Sequence, residues 1–119
     1  MRPLVDEARY GILIDVGHLN MRLRKYAYFE GVTVEEYISR VPLPIVEIHV
    51  HDNDGERDQH GHIGFGNCDF AAVAAALKAV GFDGVSTIEI APGFHDSTPA
   101  KSKPDARASL GTWKAFWEG

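Results

Sequence analysis

Three short segments of the chain alternate apolar and polar residues in the manner of half-buried β-strands. They lie at residues 11–18 (GILIDVGH), 45–51 (IVEIHVH) and 86–92 (STIEIAP). Successive side chains of a strand point to opposite faces of a sheet, so the apolar residues of each segment share one face and the polar residues the other. The pattern predicts three strands, each with polar side chains at its C-terminal end.

Between the first two strands the spacing of apolar residues changes to that of helices. Residues 19–29 are compatible with a helix that Gly31 terminates. Thr33 and Glu36 then form the Thr-x-x-Glu pattern of a capping box. Because this pattern satisfies free N–H groups at a helix start, it predicts a second helix, which ends before Pro42.

A polar, glycine-rich loop follows the second strand, and a third helix is predicted after it. Asp69 is suited to the N-cap of this helix and Gly81 to its C-terminal end. A fourth helix is predicted over residues 105–117, after a polar connector at residues 97–104. Strands that alternate with helices in this way are typical of a parallel α/β sheet.

Three parallel strands leave sheet faces and edges that require cover. Strand ends that carry polar residues and lead into long loops match the active face of a (β/α)8 barrel, which typically has about 250 residues. With 119 residues the chain has the length of one domain at most. We therefore predict an α/β fold in which residues 1–119 form a single domain of about three parallel βα units, a partial TIM barrel.

Side chains of the types that bind metals are crowded at the end of the second strand. Four of them fall within twelve residues, namely His49, His51, Asp58 and His60. Asp15 and Glu89 occupy equivalent ends of the first and third strands. A single strand histidine is as often structural, but carboxylate and imidazole groups converging from several strands suit a divalent cation. The sequence predicts a metal site, with zinc, manganese, magnesium and cobalt as candidates.

These residues belong to four motifs that resemble a known family. The motifs are Asp15-Val-Gly-His18, His49-Val-His51-Asp52-Asn53, Asp58-Gln-His60 followed by Gly64-Phe-Gly66, and Thr87-Ile-Glu89. In order and spacing, over residues 10–92, they resemble the xylose-isomerase-like TIM barrels. That superfamily includes sugar and sugar-phosphate isomerases and epimerases and the endonuclease IV type of apurinic-site endonuclease. The resemblance implies that the chain corresponds to the C-terminal part of such a barrel.

The resemblance also implies roles for individual residues. A central metal would be bound from three strand ends, by Asp15, His49 and Glu89. Glu89 would also act in acid/base catalysis, and His18 would contact substrate in epimerase-like members. In endonuclease-like members His18, Asp58 and His60 would bind a further metal.

Other polar residues near the motifs are open to two interpretations. His51 and Asp52 lie just beyond the second strand, where they are candidates to contact substrate or to orient the metal ligands by hydrogen bonds. Alternatively, Asp52 and Asn53 simply form a turn. His62 and His95 are potential ligands that fall on no motif position.

Some functional residues of the family have no counterpart here, because the first five barrel strands have no match in this sequence. A glutamate from that part completes the central metal site and shares proton transfer with the Glu89 equivalent. Three functions stay open: a metal-dependent sugar or sugar-phosphate isomerase or epimerase, an apurinic-site endonuclease-like phosphodiesterase, and a non-catalytic truncated or half-barrel assembly partner. Whether this chain alone is an enzyme is undecided, and a homo-oligomer or a complementing half-barrel chain is the expected assembly.

Composition bears on the kind of binding partner and on the cellular location. A net charge of -5 argues against a stand-alone nucleic-acid binder, although Arg22, Arg24 and Lys25 form a local basic cluster. Cys68 is the only cysteine, so an intrachain disulfide is impossible, and a reducing cytoplasm is the expected location. A thiol nucleophile is a weaker interpretation of Cys68 than a structural residue. No stretch approaches the roughly 20 apolar residues that span a bilayer, so no membrane partner is expected.

Overall fold

The computed structural model describes residues 10–90 and 99–118, the first seven of the latter range by their backbone alone. Three parallel strands form one sheet in the order β1, β2, β3. Their bounds are Ile12–Asp15 for β1, Ile45–Val50 for β2 and Val85–Ile88 for β3. The parallel α/β arrangement confirms the predicted fold class.

Four α-helices accompany the strands in the part of the chain that the structure describes. They are α1 (Val16–Lys25), α2 (Val34–Ser39), α3 (Phe70–Ala79) and α4 (Pro99–Glu118). The Thr33 hydroxyl accepts a hydrogen bond from the Glu36 N–H at 3.0 Å, and the Asp69 carboxylate accepts one from the Ala72 N–H at 3.0 Å. Gly81 has a φ of 76°, the left-handed conformation that commonly follows a helix. The predicted starts of α2 and α3 are therefore confirmed.

The first helix differs from its predicted bounds at both ends. It begins at Val16, because the Asp15 carboxylate caps it by accepting a hydrogen bond from the His18 N–H at 2.9 Å. It ends at Lys25, where extended backbone at Tyr26 separates it from a 3-10 turn at Ala27–Phe29. The apolar spacing predicted helix correctly here, but the cap that decides its start lies in a strand.

The last helix begins at Pro99, so the prediction of a connector over residues 97–104 is wrong from residue 99 onward. Proline at the first helical position costs little, since its missing N–H would have no partner within the helix and its fixed φ suits a helix. This polar segment is therefore the first part of a helix and not a loop. Among the described residues, no helix is long and apolar enough to cross a membrane.

The core lies on the side of the sheet that the helices cover. Ile48 and Val50 of the central strand are fully buried, together with Leu77 of α3 and Trp113 of α4. Helix α2 packs on α3, and α3 packs on α4. The opposite side of the sheet carries the polar residues of the strands, Ser86 excepted, so one face packs and the other is available for chemistry.

Truncation of Ile48 tests this division. Ile48→Ala should lower the free energy of unfolding by about 2–5 kcal/mol, because it removes apolar volume from a fully packed site. Val46→Ala, in the same strand at a side chain that is 50% exposed, should cost less than about 1 kcal/mol. Urea unfolding monitored by tryptophan fluorescence measures both. Equal losses would contradict the assigned packing.

Candidate metal centre

Strand register brings the C-terminal ends of the three strands together. Asp15 lies opposite His49 in the β1–β2 pair, and His49 lies opposite Thr87 in the β2–β3 pair. Glu89 follows β3 directly, and its N–H donates to the Val50 carbonyl at 2.9 Å. All three strands therefore carry polar side chains at the same, C-terminal end of the sheet.

Asp15, His49 and Glu89 form what we call the central group. Each offers one ligand atom, and these atoms all lie within 4.8 Å of one another. His49 Nδ1 is 3.1 Å from Glu89 Oε2, yet Oε2 is buried and accepts no hydrogen bond from the described residues. The two atoms are therefore close together but do not form a hydrogen bond with each other. Such a buried, unpaired carboxylate oxygen beside an imidazole nitrogen fits a cation between them.

Two hydrogen bonds hold the Asp15 carboxylate in place. Its Oδ1 accepts from the His18 N–H at 2.9 Å and from His51 Nε2 at 2.6 Å, which leaves Oδ2 for another partner. Burial acts to raise the pKa of Asp15, but the hydrogen bonds from His51 and His18 outweigh it and bring the pKa below its ordinary value. Asp15 is therefore ionised at neutral pH, as a metal ligand must be.

His18, Asp58 and His60 form a second cluster, the outer group. The Asp58 carboxylate lies between His18 Nε2 at 3.0 Å and His60 Nε2 at 3.2 Å. The hydrogen bond to Asp58 raises the pKa of His18. Burial acts to raise the pKa of Asp58, but the bond from His18 and the charges of nearby histidines lower it below its usual value. The ligand atoms of the outer group also lie within 4.8 Å of one another.

Backbone geometry orients His60 within this group. His60 Nδ1 donates to the Glu89 carbonyl at 3.0 Å, so in the neutral ring Nε2 keeps its lone pair and faces Asp58. His60 has a φ of 50°, in the left-handed region that non-glycine residues adopt at a cost of about 1–3 kcal/mol. Strain of this kind persists where the surrounding structure holds a residue in place.

His51 joins the two groups. Its fully buried ring contacts Asp15 of the central group and stacks on the His60 ring, with centroids 3.9 Å apart and planes 4° from parallel. Gly17 packs directly against this ring, and a Cβ at that position would collide with it. The glycine of the Asp15-Val-Gly-His18 motif is thus required by close approach, a role that the sequence pattern alone does not indicate.

Asp52 holds the loop that carries the outer group. Its carboxylate, only 1% exposed, accepts four backbone hydrogen bonds at 2.8–3.1 Å, from the N–H groups of Asn53, Gly64, Gly66 and Cys68. The Asn53 amide, also buried, donates to the Gly17 carbonyl at 2.9 Å. In the structure the contacts of Asp52 are therefore to the loop backbone, and the residue does more than form a local turn.

The remaining candidates lie outside the two groups. The His62 ring packs against Phe65, with centroids 6.0 Å apart, and His95 lies outside the described residues. Burial raises the pKa of Cys68 to about 12, so its thiol stays protonated and a nucleophilic role is disfavoured. Glu47, which no motif contains, contacts His49 Nε2 at 3.2 Å. The alternation of β2 was the available signal, because it places Glu47 on the same face as His49.

Comparison with known proteins assigns the fold to a family. A profile of xylose isomerase-like TIM barrels matches residues 3–115, nearly the whole chain. The chain belongs to the xylose isomerase-like TIM-barrel family. This confirms the resemblance that the four motifs indicated, and it identifies the three-stranded sheet as part of a (β/α)8 barrel.

Two proteins similar to this xylose isomerase-like chain are longer than it is. An uncharacterised protein of Methanocaldococcus jannaschii, MJ1311, is 35% identical over 85 residues, which are 71% of this chain and 27% of that protein. The crystal structure of a D-tagatose 3-epimerase-like protein matches with a TM-score of 0.68 at 33% identity, covering 97% of this chain and 37% of that one. The chain thus spans about a quarter to a third of the length of these relatives.

Asp52→Asn tests the role of Asp52 in the loop. One carboxylate oxygen, an acceptor, is replaced by an NH2 group, a donor that faces backbone donors, so the free energy of unfolding should fall by about 3 kcal/mol. Amide hydrogen exchange at Gly64, Gly66 and Cys68 should accelerate at the same time. Asp83→Asn, at an exposed residue, serves as the control. Unchanged exchange in the Asp52 variant would show that other contacts order the loop.

Proposed function

We propose that this chain supplies the metal-binding strand ends of an isomerase or epimerase that acts on a sugar or sugar phosphate. The observation that carries the proposal is the central group: two carboxylates and an imidazole from adjacent strand ends, with ligand atoms within 4.8 Å and a buried Glu89 oxygen that no hydrogen bond satisfies. The family, and a structural relative named for its likeness to a D-tagatose 3-epimerase, support a sugar as the substrate class.

Asp15, His49 and Glu89 would hold the ion. Mixed oxygen and nitrogen ligands of this kind suit manganese, magnesium, cobalt or zinc. A bound divalent cation would hold neighbouring substrate oxygens and polarise a carbonyl. The hydrogen bonds that Asp15 Oδ1 accepts from His51 and from the His18 backbone favour binding, since they orient the carboxylate before an ion arrives.

Epimerisation removes a proton from one face of a carbon and returns one to the opposite face, which suits two acid/base groups, one on each side of the substrate. Glu89, the member of the central group that follows β3, would be one of them. Glu47 is not suited to be the other, because it contacts the Nε2 side of the His49 ring while Glu89 contacts the Nδ1 side. The second carboxylate would come from barrel strands beyond the three described, in the same assembly.

His18 would steady the substrate. Its side chain is about half exposed at the start of α1, between Asp15 of the central group and Asp58 of the outer group. The ring is thus accessible to a ligand. Its hydrogen bond with Asp58 holds it there.

A second candidate function is metal-dependent cleavage of a phosphodiester at an abasic site. The outer group favours it, because a second complete ligand set could hold a further cation near the first, and clustered cations can stabilise both attacking and leaving oxygens. The net charge of -5 disfavours a nucleic-acid substrate. The number of cations bound per site distinguishes the two functions.

Ligand substitutions test the central group. His49→Ala should weaken divalent-metal affinity by at least about 100-fold, since even the loss of a group that only orients a ligand costs about 10–100-fold. Isothermal calorimetry with manganese and with zinc provides the measurement, and circular dichroism checks the fold. His62→Ala, outside both groups, is the matched histidine control. Unaltered affinity in the His49 variant would remove His49 from the site.

The outer group is tested by counting ions. Native mass spectrometry of the metal-loaded chain reports subunit number and bound metal together. Under the isomerase proposal we expect one cation per central site in an oligomer, unchanged by the double substitution of Asp58 by Asn and His60 by Ala. A count above one that falls to one in the double variant would favour the phosphodiesterase. A metal-free monomer would contradict catalysis by this chain alone and favour a non-catalytic partner.

A further inference from the structure

Glu47 is a carboxylate on the polar face of the sheet that contacts a member of the central group. It precedes His49 by two residues in β2, so the two side chains share a face. Its Oε1 contacts His49 Nε2 at 3.2 Å and accepts a hydrogen bond from the Thr87 hydroxyl at 3.0 Å. Thr87 is the residue opposite His49 in β3, so two strands hold one carboxylate oxygen in place.

The two nitrogens of the His49 ring differ in their surroundings. The contact between Nε2 and Glu47 has hydrogen-bond geometry. The Nδ1 contact with Glu89 has nearly the same length, 3.1 Å, but Glu89 Oε2 accepts no hydrogen bond from the described residues. The geometry thus favours a proton on Nε2, donated to Glu47, with Nδ1 left beside Glu89 of the central group.

This asymmetry matters because a neutral imidazole carries one proton, and only the other nitrogen can bind a metal. A carboxylate that accepts from one ring nitrogen assigns the lone pair to the other and fixes the orientation of the ring. Loss of that acceptor would leave Glu89 as the carboxylate nearest to the ring, and the proton could then move to Nδ1, the atom that a cation requires.

We propose that Glu47 is a positioning residue for the metal site: with Thr87, it fixes His49 in the Nε2-protonated form, so that Nδ1 is the ligand atom. This inference rests on the proposed metal centre. It adds a residue outside the four motifs and assigns the ligand atom of His49.

The test compares three variants, at Glu47 and at its neighbour Thr87, with the unsubstituted 119-residue chain. Glu47→Leu removes the acceptor at similar size, Glu47→Gln keeps an acceptor oxygen without the charge, and Thr87→Val removes the hydroxyl that holds the carboxylate. Glu30→Ala, at an exposed glutamate remote from the site, is the control. Manganese affinity is measured by calorimetry. Ring protonation in the metal-free chain is measured by long-range proton–nitrogen NMR, with His49 assigned by its absence in His49→Ala.

We expect Glu47→Leu to weaken manganese binding by about 10–100-fold and to shift His49 toward the Nδ1-protonated form. Glu47→Gln should restore most of the affinity and the Nε2-protonated form, because its side-chain oxygen still accepts the hydrogen bond. Thr87→Val should shift both readouts in the direction of Glu47→Leu, by less. A merely structural role would lower the thermal midpoint without changing the ring tautomer.

Two outcomes would overturn the inference, and they are distinguishable. If the wild-type chain binds manganese, His49→Ala abolishes binding, and Glu47→Leu binds as tightly as wild type with an unchanged tautomer, the role of Glu47 fails while the metal centre stands. If the wild-type chain binds no divalent cation, the proposed function and the inference fail together. Should Glu47→Leu not fold, Glu47→Gln and Thr87→Val supply the same comparison.

Discussion

The Asp15 carboxylate connects the elements on which the rest of the structure depends. It lies at the end of β1, caps α1 through the His18 N–H, and accepts a hydrogen bond from the buried His51. Its position opposite His49 is set by the parallel register of β1 and β2. Asp15 ends a strand, caps a helix and belongs to the central group. A substitution at this residue would therefore affect both the fold and the candidate site.

Hydrogen bonds to buried polar side chains explain how the long loop after β2 is ordered. A buried carboxylate or amide is costly unless it is hydrogen-bonded. Asp52 meets this requirement with four backbone N–H groups of the loop, and Asn53 meets it by bonding to α1 at Gly17. The loop is thereby ordered from within, and His60 is held in its left-handed conformation. Ligand residues on a loop gain precision from such support.

The two candidate functions depend on groups that are in direct contact. His60 donates to the carbonyl of Glu89, and His51 contacts Asp15 while it stacks on His60. The two groups therefore share contacts through His51 and His60. The reaction would be decided by the number of cations held and by the strands that complete the barrel, as family membership is compatible with sugar isomerisation and with phosphodiester cleavage.

The sequence by itself determined the features that depend on neighbouring residues. Alternation in β2, the caps at Thr33 and Asp69, and the left-handed turn at Gly81 are local, and the motif spacing was sufficient to indicate the family. The tertiary structure decided what depends on distant contacts: the start of α1, the helical course of residues 99–104, the packing of Gly17 on His51, and the contacts of Glu47 with His49 and Thr87. Local patterns place a side chain on a face of a strand, but only the register between strands and the path of the loop determine which atoms of different segments meet.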